Sequence, residues 1–158
     1  MSIVVYFTLA WLLIGYFIAM NNKMNLMEST VVFLVTVVAS INVSWILIEE
    51  MVLIQVTEQA EEYISYLLNR SVITPLIVMI GISLMIRSEN GVFKAISYVG
   101  TVVLLTVVNN SLTYFGVFEF VNWNFIYDII YFAVLMLIAV LTYKFYHNLY
   151  DKEAVKQT

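Results

Sequence analysis

The sequence predicts an all-α protein, a polytopic transmembrane bundle of about five helices that forms a single integral membrane domain over residues 1–158. Three observations predict it. The chain is 63% hydrophobic and 11% charged with a mean hydropathy of +0.94, far more apolar than a soluble domain. Its apolar runs come close to the roughly 20 residues that carry a helix across a bilayer, and short polar segments divide them. Threading those runs back and forth sorts the basic residues almost entirely to one side.

Residues 2–20 form the first span and carry no charge. A cleaved leader would show a basic start and a small-residue cleavage site. Here the first charge, Lys23, follows the apolar run, so a retained helix is expected. Trp11 falls at mid-span, where packing and lipid exposure are both ordinary.

The second run, residues 28–54, is the longest nearly unbroken apolar stretch and the one the other spans are expected to pack around. It carries Thr36, Ser40, Asn42 and Ser44 at bilayer depth and stops on Glu49–Glu50. Ser29 is a candidate cap. At about 100° per residue, Thr36, Ser40 and Ser44 share one stripe, while Asn42 and Glu49 lie opposite. Polar groups on two sides imply contacts on two sides. The plainer alternative is that the hydroxyls bond their own i−4 carbonyls, a route that leaves much of the Asn42 amide unsatisfied.

Residues 55–68 read as an amphipathic acidic helix: Val56, Ala60, Tyr63, Ile64, Leu67 and Leu68 face one side and Glu58, Glu61, Glu62 and Ser65 the other. An acidic face is repelled by anionic lipid, and a solvated surface is the plain reading. The third span ends before Arg87. Counted from Pro75 it would have 12 residues, roughly 18 Å of helix, which is too short. It therefore starts near Ile64, contains Pro75, and sets Arg70 at the membrane edge.

Residues 91–94 are expected as a tight basic turn and 95–114 as the fourth span. Thr106, Asn109, Asn110 and Thr113 lie on one face of its last two turns, where side-chain amides commonly bond across helices. An aromatic loop, 116–124, leads to a fifth span over 125–146. Asn124 would cap that helix, and Asp128 would sit in its first turn, where the dipole favours an anion. Residues 147–158 remain as a short tail.

Five spans place the termini on opposite sides. Lys23, Arg87, Lys94, Lys144, Lys152 and Lys156 then share one side and only Arg70 lies on the other. The positive-inside rule makes the first side cytoplasmic and the amino terminus external.

Several chemistries are missing from the sequence. It has no cysteine, hence no thiolate nucleophile or cysteine metal site. No phosphate-binding glycine loop or H-E-x-x-H occurs. The single histidine, His147, has no acidic neighbour in sequence, and the only aspartates, Asp128 and Asp151, fall on opposite sides. A net charge of −4 excludes the basic footprint that nucleic acid needs. No cofactor, metal or catalytic residue is therefore expected. The adjacent carboxylates Glu49 and Glu50 repel one another, or simply face headgroups and water.

The segments Ile73-Thr74-Pro75-Leu76-Ile77, Glu119-Phe120-Val121-Asn122-Trp123 and Tyr143-Lys144-Phe145-Tyr146 resemble a group of small, functionally uncharacterised membrane proteins of Bacillus and Clostridium relatives. The resemblance covers about the last two thirds of the chain. The group is expected to carry more tryptophan and histidine around the hairpin. The resemblance implies a bacterial cell-membrane protein of this size and no particular activity; frequent Ile, Asn, Tyr, Phe and Lys fit an AT-rich bacterial genome.

The expected function is that of a non-enzymatic accessory or sensor subunit acting through helix–helix contacts, in membrane lipid, with a second copy or another membrane protein. The alternative is an oligomeric small-solute or ion transporter or channel subunit. Asn42, Glu49, Glu50, Arg70, Asn109 and Asn110 are the candidate partner or pathway residues. Two contacts are anticipated: Arg70 with Glu49 or Glu50, and Asn109 and Asn110 with more than one neighbouring helix, because adjacent positions diverge by about 100°.

Overall fold

The computed structural model describes residues 1–20, 24–57, 59–121 and 123–156, with side chains as far as Leu149. Lys23, Glu58 and Asn122, and the side chains of Asp151, Lys152 and Lys156, lie outside the described residues. Among the described residues, five helices are long and apolar enough to cross a membrane. They are α1 (Ser2–Ala19), α2 (Leu26–Glu50), α3 (Ala60–Arg87), α4 (Gly91–Tyr114) and α5 (Phe125–Lys156).

The bounds differ from expectation where local chemistry intervenes. α2 begins earlier because Asn25 and not Ser29 is its cap; Glu28 Oε2 accepts from the Asn25 backbone N–H at 2.8 Å, the return half of a capping box. α2 ends at Glu50 in a π-helical turn, Ile46–Glu50, so Ile54 is no longer helical. α4 begins at Gly91, four residues earlier than expected, because the Asn90 side chain accepts from Val92 N–H at 3.0 Å and caps it. The tail is helical to Lys156 instead of ending at 146.

The segment after α2 is also not helical from Gln55. Residues Ile54–Val56 form β1, which pairs antiparallel with β2, Phe118–Phe120, inside the aromatic loop. Gln55 stands opposite Glu119. The two loops thus satisfy each other's backbone groups at one end of the bundle, the ribbon end.

α3 is the centre of the molecule. Of its most apolar 18-residue window 61% is buried, against 17% to 28% for the other four helices, and it contacts all of them. The prediction that the second span organises the chain is therefore corrected in favour of the third. Small and hydroxyl-bearing residues make this placement possible: Ser65, Thr74, Gly81 and Ser83 are all buried, and such residues let helices approach closely. At Gly81 an added Cβ would overlap the Thr101 side chain of α4.

The residues before Pro75 adapt to it. Proline lacks an N–H and its ring crowds the carbonyl four residues back. The helix widens into a π-helical turn at Asn69–Ile73, with Thr74 N–H bonded to Asn69 O. α3 stays continuous across it. Burial is rotated relative to the predicted amphipathic face: Ser65, Tyr66 and Asn69 point inward, while Tyr63 and Ile64 are exposed. Trp11 is 65% exposed and faces outward, so a packing role within the bundle is excluded.

Candidate functional site

The polar centre of the bundle is built on Asp128, in the first turn of α5. It is 2% exposed. Its Oδ2 accepts from Asn110 Nδ2 at 2.8 Å and Asn109 Nδ2 at 3.2 Å, and its Oδ1 accepts from Trp123 Nε1 at 2.7 Å. Asn110 also donates to Thr106 O at 2.9 Å, and Asn69 of α3 donates to Asn109 Oδ1 at 3.4 Å. An ionised carboxylate offers about four acceptor sites, and three are filled here. Asn109 and Asn110 thus meet two neighbouring helices, α3 through Asn69 and α5 through Asp128, yet both amides donate to the same carboxylate. A carboxylate facing the seam between their two directions receives both.

Beside Asp128 lies a cavity of about 30 Å³, bordered by Ser44, Tyr66, Asn109 and Tyr131. At roughly 30 Å³ each that is room for about one water, with apolar Leu47, Ile48, Ile54 and Phe118 lining it beside these polar groups. The predicted stripe on α2 points here: Thr36 and Ser40 are buried, Thr36 bonds its own Val32 O at 2.7 Å, and Ser40 Oγ accepts from Tyr131 at 3.3 Å. Asn42, on the other side of α2, is exposed and donates to Val38 O of its own helix at 2.7 Å.

Arg70 does not pair with Glu49 or Glu50. Among the described residues it makes no ion pair; its Nη1 donates to Tyr66 Oη at 3.2 Å, and its guanidinium carbon lies 4.9 Å from the centroid of that ring. Both glutamates are exposed at the end of α2, where water solvates them at less cost than ordering a pair. Arg70 and Glu49 nonetheless border one cavity of about 220 Å³, with Trp45, Tyr63 and Tyr66.

At the opposite end, His147 of α5 is not without an acid. Its Nδ1 lies 2.7 Å from Glu28 Oε1, and its ring stacks on Tyr143 at 5.5 Å. Glu28 is 3% exposed and ties the start of α2 to α5.

Sequence reasoning did not place Asp128, Asn69, Tyr66, Trp123, Tyr131 or Glu28 among the site candidates. Two signals were present. An acid inside a span marks a functional site by default, which applies to Asp128 and Glu28. Tyr131 lies one helical turn after Asp128, on the same face. Asn69, which also reaches this centre, is the first residue of the widened turn before Pro75. No group of three potential metal-ligating residues exists among the described residues. Comparison with protein-family models, with curated proteins and with solved structures gave no match, so the resemblance above rests on its quoted segments.

Proposed function

We propose that the protein is a non-enzymatic integral protein of the bacterial cell membrane, an accessory or sensor subunit that works through helix–helix contacts with another membrane protein. Its amino terminus is external and its carboxy terminus cytoplasmic, as the segregation of six basic residues from Arg70 indicates. The ribbon end then faces outward.

One observation carries this reading: the residues a solute path would need do not converge. Asn109 and Asn110 are committed to Asp128, Asn42 faces away from the bundle, and Glu49 and Glu50 stand exposed at one end. The position where a path through five helices would run is filled by α3. With the α4 amides satisfied internally, Asn42 is the amide left at bilayer depth on an outward face. It directs partner contact to α2, because a polar group facing lipid is stabilised by a polar neighbour.

The cavity bordered by Asp128 and Asn109 favours a second reading, an oligomeric ion or small-solute transporter or channel subunit. Reconstitution into liposomes with proton and ion flux readouts separates the two. The expected result is no flux above protein-free vesicles. Flux that disappears in Asp128→Asn would replace the first reading with the second. In parallel, intact-mass measurement after mild-detergent purification should find a partner chain whose retention falls about threefold in Asn42→Leu, the effect of an amide bond worth ~0.6 kcal/mol.

A further inference from the structure

The second cavity holds chemistry that the subunit reading does not use. Its walls come from α2 (Trp45, Ile48, Glu49), from β1 (Val56) and from α3 (Tyr63, Tyr66, Arg70). Arg70 is the key. Its Nη1 is spent on Tyr66, yet its buried Nε has no partner among the described residues. A guanidinium binds phosphate or carboxylate through paired N–H groups. Arg70 borders this cavity and makes no ion pair among the described residues, so its charge is left for an anion that the described protein does not supply.

Depth limits what that acceptor is. Arg70 stands ten residues into α3 and Arg87 closes the helix, so the two arginines are about 25 Å apart along the axis. The hydrocarbon layer is about 30 Å thick. With Arg87 at one boundary, Arg70 lies at the other, where phospholipid phosphates begin. Glu49, one residue from the end of α2, borders the same cavity as Arg70. Trp45 is 54% and Tyr63 43% exposed, so the rim opens on the outer surface of the bundle and carries the aromatic residues that favour the headgroup zone.

Charge limits it further. A purely anionic ligand would meet the Glu49 carboxylate, and a purely cationic one would meet Arg70. A group with both signs satisfies both walls. The volume, about 220 Å³, equals about seven waters at roughly 30 Å³ each. That is headgroup-sized and below the range of typical drug-sized sites, roughly 300 Å³ upward.

We propose that this cavity binds the zwitterionic headgroup of a phospholipid, its phosphate on Arg70 and its ammonium between Glu49 and the aromatic faces of Trp45 and Tyr63. An ammonium over such rings gains a cation–π contribution beyond its ion pair. The acyl chains would leave across the exposed rim. Tyr66 and Ile48 also border the Asp128 cavity, so occupancy at the edge touches residues that line the polar centre. This inference needs only a membrane-embedded bundle and does not depend on the subunit reading.

The test is native mass spectrometry of the full chain released from a neutral detergent, with phosphatidylethanolamine, phosphatidylglycerol or diacylglycerol added singly. The expected result is one phosphatidylethanolamine retained at collision energies that strip the other two. Arg70→Gln should lower its occupancy at least tenfold. Glu49→Gln, at an exposed site that folding tolerates, should abolish the preference for phosphatidylethanolamine over phosphatidylglycerol. Equal retention of diacylglycerol, or an unchanged preference in Glu49→Gln, would overturn the proposal. A soluble glycerophosphoethanolamine that displaces the lipid at equal concentration would assign the cavity to a free solute and overturn the lipid assignment.

Discussion

Asp128 concentrates most of the polar energetics of the molecule in one side chain. Replacing it with leucine would leave the N–H groups of Asn109, Asn110 and Trp123 without their acceptor, in a setting where unpaired donors are costly. Asp128→Leu should destabilise the bundle by about 2 kcal/mol, read from reversible unfolding in mixed micelles. Asn42→Leu should stay within about 0.5 kcal/mol, because that amide faces outward and bonds only its own helix among the described residues. A loss in Asp128→Leu no larger than in Asn42→Leu would show that the three donors find other partners. Helical spacing makes Asn109 and Asn110 diverge, and this was legible in the sequence. That their divergence brackets a single carboxylate was not, because it depends on where the first turn of α5 docks.

Among the elements, α3 owes its central place to close approach. Gly81 faces Thr101 of α4, and the atoms a Cβ would meet include Thr101 Oγ1 and Cγ2. Gly81→Ala should cost about 1–3 kcal/mol through overpacking. Thr101→Ala removes both of those atoms, so the double variant should recover most of the loss in a double-mutant cycle. Additive losses would mean that the two helices do not touch there. The β ribbon makes a second test possible. Gln55 and Glu119 are register partners in a hydrogen-bonded pair, with Cα atoms about 5.5 Å apart, inside the range a disulfide spans. Since the chain has no cysteine, a Gln55→Cys, Glu119→Cys variant should cross-link on mild oxidation and shift in electrophoretic mobility. Gln55→Cys with Glu89→Cys should not.

At the scale of the whole molecule, the bundle has two unlike ends. One carries the ribbon, Arg70, Glu49 and Glu50; the other carries Arg87, Glu89, Lys94 and the Glu28–His147 contact. The proposed orientation predicts that single cysteines at Glu61 and Glu119 react with an impermeant thiol reagent in intact cells, whereas one at Glu89 reacts only after permeabilisation. Labelling of Glu89 alone would invert the molecule and move the Arg70 cavity to the inner leaflet.

The sequence by itself determined the class, the number of helices and most of their limits. Length and apolarity act locally: a run near 20 residues with few charges must satisfy its backbone within itself, whatever it packs against. It also indicated that Asn109 and Asn110 would need partners beyond their own turn, whereas a hydroxyl such as Thr36 can bond the carbonyl four residues back, as it does to Val32 O. Only the tertiary structure decided which helix lies at the centre, because hydropathy does not distinguish a face turned to lipid from one turned to protein. The residues of α3 are the least hydropathic of the five spans and the most buried, for polar and small side chains stabilise helix contact where apolar ones gain nothing over lipid. Tertiary structure likewise joined β1 to β2 and Glu28 to His147, pairs separated by 64 and 119 positions. No local periodicity carries such contacts; they arise when helices of fixed length pack and bring their ends together.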